Sequence, residues 1–159
     1  MSNPYAAFDM DADKEKSGVY SVFGAFRIKI ARAGGKNVAY TGIRETITKQ
    51  HRRAIQTETL PQNIQDALNA ELAAKALVKS WEVDTNFGET DPVSGAALPT
   101  EWTPGKIHDP DSGEVVDATT DLYIRTFLKY NDLYLQVASF ASDIDNFLNK
   151  EEIEGDVGN

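Results

Sequence analysis

Only two histidines occur in this 159-residue chain, His51 and His108, and both are isolated. His51 is followed by Arg52 and Arg53, whose charge repels a metal cation. His108 precedes Asp109, Asp111, Glu114 and Asp117, oxygen ligands of the kind a hard cation such as Ca²⁺ takes. Their spacing departs from an EF-hand loop, and Asp is common in turns because its carboxylate bonds nearby backbone, so solvated turn carboxylates are the favoured reading. Gly34-Gly35-Lys36 invites a phosphate-loop reading but lacks the upstream glycine and the Ser/Thr after Lys. The chain has no cysteine, hence no disulfide, thiolate metal site or thiol nucleophile. Neither a nucleophile elbow nor a zincin helix is present. No catalytic, cofactor-binding or metal-binding residue is nominated, and an enzyme ranks last among the functional classes. Trp81 and Trp102 suit either a partner surface or packing, and packing is favoured.

The elements that position these residues are read from periodicity. Phe26, Ile28 and Ile30 alternate with Arg27 and Lys29, the period of a strand with one buried face. Val19-Tyr20-Ser21-Val22-Phe23 alternates too, and either pairs with 26–30 or joins it as one bent strand with Gly24 at a bulge. Gly34-Gly35 marks a turn, and Asn37 is a candidate cap for a first helix over 37–57, weakened by Gly42. A second helix starts at Leu60-Pro61, with Thr59 as candidate cap. Its stripe of Ile64, Leu68, Leu72, Ala74, Ala76 and Leu77 extends to Trp81, with Glu71 and Lys75 as an i, i+4 ion pair. Residues 84–118 are rich in Gly and Pro and read as a long loop, within which Lys106–His108 and Glu114–Val116 can form a β-hairpin. A third helix opens after Thr119 or Thr120 and runs to about Tyr130. A fourth, capped by Asn131 or Asp132, carries Leu133, Val137, Phe140, Ala141, Ile144, Phe147 and Leu148 at 3–4 spacing. The expected fold is mainly α, about four helices with a small N-terminal β element. Residues 1–18 read as a flexible tail, 19–150 as a single domain and 151–159 as an acidic tail; no internal repeat is evident.

The net charge of −9 conceals an asymmetry. Residues 1–60 hold 10 Lys/Arg and 6 Asp/Glu, whereas 61–159 hold 6 and 19. Between 26 and 56 stand eight basic residues and one acid, Glu45. Such a segment meets phosphate, an acidic partner, or the acidic half of its own or a neighbouring copy. The last is favoured, because the chain is acidic overall. No run is long enough to span a membrane, no signal-peptide pattern precedes the domain, and a soluble intracellular protein is expected.

Phe26-Arg27-Ile28-Lys29-Ile30-Ala31-Arg32-Ala33-Gly34-Gly35-Lys36-Asn37, followed by Tyr40, resembles the opening signature of the tail assembly chaperones of long-tailed, siphovirus-like bacteriophages. Ordered matches follow at Arg53 with Thr59-Leu60, at Ala74 to Trp81, at Asp132-Leu133-Tyr134, and at Phe147 with Glu151-Glu152 and Gly158-Asn159. The resemblance covers about 26–159. It departs at 84–118, where the family usually has a short connector.

The resemblance implies a non-catalytic protein of the host cytoplasm that binds the tape-measure protein, keeps its apolar helices soluble, gathers tail-tube protein around it, and is normally absent from the finished virion. Some members are also made as a longer frameshifted form, and self-association is a further expectation. On that footing Phe26, Ile28, Ile30 and Tyr40 are structural organisers. Arg27, Lys29, Arg32 and Lys36 are candidate polar contacts, and Phe140, Ile144 and Phe147 form either core or a partner groove, with core favoured. The rival readings are a structural virion protein, such as a tail-completion or head–tail connector component, and a nucleic-acid binder using 26–56.

Overall fold

The computed structural model describes residues 3–149; the expected acidic tail at 151–159 lies outside them. Four antiparallel strands form the central sheet in the order β1 (Val19–Val22), β2 (Phe26–Ile30), β3 (Val78–Asp84), β4 (Trp102–Pro104). The fold is therefore mixed α/β, which corrects the expectation of a mainly α domain with a small β element. The first two strands pair as a hairpin, Val19 opposite Ile30 and Val22 opposite Arg27. The decisive difference lies at 73–84. Helix α4 (Gln62–Leu72) ends in a π-helical turn at Ala73–Leu77, and the chain then leaves as β3 instead of continuing helically to Trp81. The strand is hard to see in sequence because it is central, with Val78, Trp81, Glu82 and Val83 all buried, so the polar–apolar alternation of a one-sided strand is lost. The i, i+4 step from Leu77 to Trp81 also continues the helical stripe.

The other helices fall close to their expected places. The first is α2 (Val38–Thr48), a 3₁₀ turn at Lys49–His51 and α3 (Arg52–Gln56). The last two are α5 (Thr120–Lys129), capped by the Thr119 hydroxyl accepting from Leu122 N–H, and α6 (Asn131–Ser142). The expected fourth helix stops at Ser142. Asp143 accepts from Asp145 N–H and starts a 3₁₀ turn at Ile144–Phe147, which brings Phe147 back into the core. The Glu71–Lys75 pair is present at 2.6 Å. Thr59, Asn131 and Asp132 do not cap through their side chains. Strands β5 (Lys106–His108) and β6 (Val115–Asp117) form the expected hairpin, with Ile107 opposite Val116. The core joins both layers: Ile28, Ile30, Trp81, Phe127, Val137 and Ala141 are all buried. Among the described residues no helix is long and apolar enough to cross a membrane.

Part of the stretch expected as an N-terminal tail is also folded. Helix α1 (Ala12–Ser17) is capped by the Asp11 carboxylate, which accepts from Asp13 and Lys14 N–H. It buries Glu15, which is only 2% exposed. Glu15 Oε2 accepts from the Arg32 guanidinium at 2.8 Å and from Lys36 N–H at 2.9 Å. The Gly34-Gly35 turn wraps this carboxylate. Gly35 has φ 54, and a Cβ there would lie 1.8 Å from Glu15 Oε2. Asn37 does not cap α2 through its side chain. Its buried amide donates to Arg32 O (2.8 Å) and Ala76 O (3.1 Å), tying the turn to the end of α4.

Residues Asp91-Pro92-Val93-Ser94-Gly95 and Asp109-Pro110-Asp111-Ser112-Gly113 form the same turn twice, an internal repeat that the sequence reading passes over. In each the Asp carboxylate accepts two backbone N–H bonds: from Val93 and Ser94 at 2.8 and 2.9 Å, and from Asp111 and Ser112 at 2.8 and 3.0 Å. Each Gly N–H returns to its Asp carbonyl at 2.8 Å. Thr90 pairs with Ala97 as His108 pairs with Val115.

Two alanine substitutions test the clasp with opposite signs. Gly35→Ala puts a methyl group into the Glu15 carboxylate and is expected to destabilise the chain by about 2 kcal/mol or more. Gly42→Ala, in α2 with open space around it, is expected to stabilise by about 0.8 kcal/mol. Urea denaturation of both variants measures this, and a neutral Gly35→Ala would mean that the turn does not close on Glu15.

Candidate functional site

A cavity of about 720 Å³ opens between the sheet, the 109–113 turn and helices α5 and α6. Its floor is lined by Phe23, Phe26 and Trp81, with Tyr123 stacked behind Trp81 and outside the lining. Phe23 stacks on Phe26 (5.4 Å between centroids), Phe26 on Trp81 (5.3 Å), and Trp81 on Tyr123 (5.2 Å). The ladder follows from register: Phe26 and Ile28 of β2 lie opposite Val83 and Trp81 of β3, on the side covered by the helices. The Trp81 indole N–H is buried without an acceptor among the described residues. Tyr130, Leu133 and Gln136 form the helical rim.

The turn at 109–113 makes the opposite wall and is strapped to α5. Lys129 Nζ donates to Pro110 O at 2.8 Å, Tyr130 Oη donates to the same oxygen at 3.5 Å, and Asp111 ion-pairs with Arg125 and Lys129. These acids thus have structural uses. Asp109 serves its own turn, Asp111 holds α5, and Asp117 pairs with Lys106 at 2.5 Å. Among the described residues no group of three His, Asp or Glu side chains is arranged to hold a metal ion. The Asp109 carboxyl is held below its ordinary value by the N–H groups of Ser112 and Asp111, and Asp91 likewise by those of Ser94 and Val93.

The seven residues nominated from sequence do not gather into one surface. Arg27 lies on the sheet face away from the helices, paired with Glu82 at 3.0 Å, its guanidinium 3.8 Å from the Tyr20 ring centroid and 4.8 Å from that of Trp102. Lys29 lies on the same face, 5.4 Å from the Tyr20 ring. Arg32 is spent on Glu15, and Lys36 serves Glu15 through its backbone while the residue stays exposed. Phe140 is half-buried and packs edge-on against Phe147 at 6.2 Å. Ile144 is half-buried in the 3₁₀ turn, and Phe147 is fully buried core. Phe26, Ile28, Ile30 and Tyr40 all pack in or against the core. Sequence reading missed Phe23, Tyr130, Leu133 and Gln136 as cavity residues. The visible signal was the aromatic density of 23–26 and 123–134; what brings those segments together is β3.

No family model, no curated protein and no solved structure matches the chain.

The cavity wall carries a pH signature. Asp109 has a folded-state value lower than its unfolded one, so its turn adds stability above the unfolded carboxyl value of about 3.9. That contribution is lost as pH falls through the folded value. Asp109→Asn is expected to lower the urea midpoint at pH 6 and to leave a flatter dependence of stability on pH below about 4. Equal pH slopes for both proteins would refute the assignment.

Proposed function

We propose that the chain is a non-catalytic tail assembly chaperone of a long-tailed bacteriophage, whose aromatic-floored cavity receives apolar helix side chains of the tape-measure protein. The resemblance over 26–37, with its ordered later matches, supplies the family. The single structural observation that supports this reading is the open cavity over Phe23, Phe26 and Trp81, a concavity of mostly apolar surface and of the size that takes the anchoring side chains of an amphipathic helix. On this reading the polar residues of the signature act from inside: Arg32, Lys36 and Asn37 hold the frame that presents the groove. The net charge of −9 keeps the chain and its cargo dispersed in the host cytoplasm. The chaperone leaves before the virion is complete, after tail-tube protein has gathered on the tape measure.

Co-expression with the tape-measure protein of the same phage tests this. A soluble stoichiometric complex is expected, with the tape-measure protein insoluble alone. Leu133→Asp and Gln136→Arg, both at the cavity rim, are expected to weaken it at least about tenfold, a loss of about 1.4 kcal/mol, while circular dichroism stays native. Wild-type chains that never co-elute overturn the reading. A complex indifferent to both rim variants places the binding surface elsewhere.

A further inference from the structure

The two copies of the Asp-Pro-x-Ser-Gly turn share their local geometry and differ in what they touch. The second is docked. Pro110 is buried, its carbonyl accepts from Lys129, and Asp111 pairs with Arg125 and Lys129 of α5. The first is free. Pro92 is exposed, Val93 is 96% exposed, and nearby Phe87 is 60% exposed. Its own stretch is acidic: between 84 and 101 the chain holds four Asp/Glu (Asp84, Glu89, Asp91 and Glu101) and no Lys or Arg.

The complementary surface lies on the same chain. Lys36, Arg44, Lys49, Arg52 and Arg53 are exposed, and none forms an ion pair among the described residues. Beyond Arg53 is a hollow of about 250 Å³ walled by Ala54, Ile55 and Leu60 and also by the polar Glu58, Gln62 and Gln65. Ile55 is 41% exposed. Glu58 on its rim holds a left-handed backbone, φ 56, where helix ends usually place glycine, and Thr59 N–H closes back on Ala54 O at 2.9 Å. Backbone strain of this kind clusters at functional sites, and here it sits between the mixed hollow and two arginines that form no ion pair among the described residues. No hydrogen bond or ion pair joins 85–98 to 36–60 within the chain.

We propose that the free turn of one copy docks on the α3 end of a second copy, with Val93 in the Ala54–Ile55–Leu60 hollow, the Pro92 carbonyl facing Arg52 and Arg53, and Glu89 and Asp91 opposite the basic helix. The docked twin is the precedent: the same turn offers the same carbonyl to a basic helix end. Two different surfaces meet, so the contact is heterologous and builds rings or open chains, not an isologous dimer. It stands independently of the tape-measure reading.

Light scattering after size-exclusion chromatography of the full chain, from low to high salt, tests this. At low salt the mean mass is expected to reach at least twice the monomer's 17.5 kDa, and at about 0.5 M salt to return toward it as screening weakens the charge contacts. The doubles Arg52→Glu/Arg53→Glu and Glu89→Lys/Val93→Lys should each be monomeric at low salt. Mixed in equal amounts they should form a heterodimer, because one retains an intact turn and the other an intact helix end. A monomer at every salt concentration, or doubles that associate as the wild type does, overturns the proposal. So does a pair of monomeric doubles that fails to complement. Salt-sensitive binding of duplex DNA that needs Arg52 and Arg53, without self-association, would overturn it in favour of nucleic acid.

Discussion

A single buried carboxylate organises this chain. Glu15 is removed from water at the N-terminal edge of the core, where an unpaired charge costs several kcal/mol. Its partners come from one short stretch: the Arg32 guanidinium and the Lys36 N–H reach it only because Gly35 has no side chain in the way. Wrapping the carboxylate fixes the path of 31–37, and that path supplies three further ties. Ala31 N–H donates to Leu77 O, Ala33 N–H to Ala141 O, and the Asn37 amide to Ala76 O. The π-helical turn where α4 gives way to β3 is thus held from outside at Ala76 and Leu77. The N-terminal helix, the first hairpin, the helix-to-strand switch and α6 meet at one polar knot.

That knot explains which parts of the fold were legible in sequence. Elements whose signals are local were readable: the 26–30 strand by alternation, α5 by its Thr119 cap, the β5–β6 hairpin by its turn residues, and the Gly34-Gly35 turn. Elements decided by tertiary partners were not. Helix α1 is six residues long and carries one buried side chain, a glutamate, so hydrophobic periodicity is blind to it. Asn37 has the composition of a cap and the job of a cross-brace. Strand β3 carries helical spacing up to Trp81 and becomes a strand because β2 and β4 give it two hydrogen-bonded edges.

The same distinction applies to the candidate site. Arg27, Arg32 and Phe147 stood out in sequence through position in a signature or a stripe, and each is consumed internally: by Glu82 and two aromatic rings, by Glu15, and by the core. A strongly patterned stretch in a small domain is first a packing device, and here the frame around Glu15 needs most of it. Surfaces left over for recognition come from less patterned residues: the rim at Tyr130, Leu133 and Gln136, and the two Asp-Pro-x-Ser-Gly turns. Of these only Leu133 belongs to a periodic stripe, where it reads as core; the others have no periodicity to detect, and the cavity exists only once β3 sets Trp81 against Phe26.

The paired turns show how far local chemistry reaches and where it stops. Both close by the same Asp carboxylate and Gly amide bonds, because five residues suffice to specify them. What each touches depends on one position and on its neighbours. Asp111 finds Arg125 and Lys129 one strand and one turn away, whereas Val93 at the matching position stays almost fully exposed. The cations of α2 and α3 stand in the mirror situation, exposed and forming no ion pair among the described residues. A chain of net charge −9 repels its copies at long range, but screening confines that repulsion to about a Debye length, roughly 8 Å at physiological salt. Inside that distance the local arrangement decides the sign, and here a basic helix end and an acidic turn of the same sequence are both exposed and joined by no ion pair among the described residues.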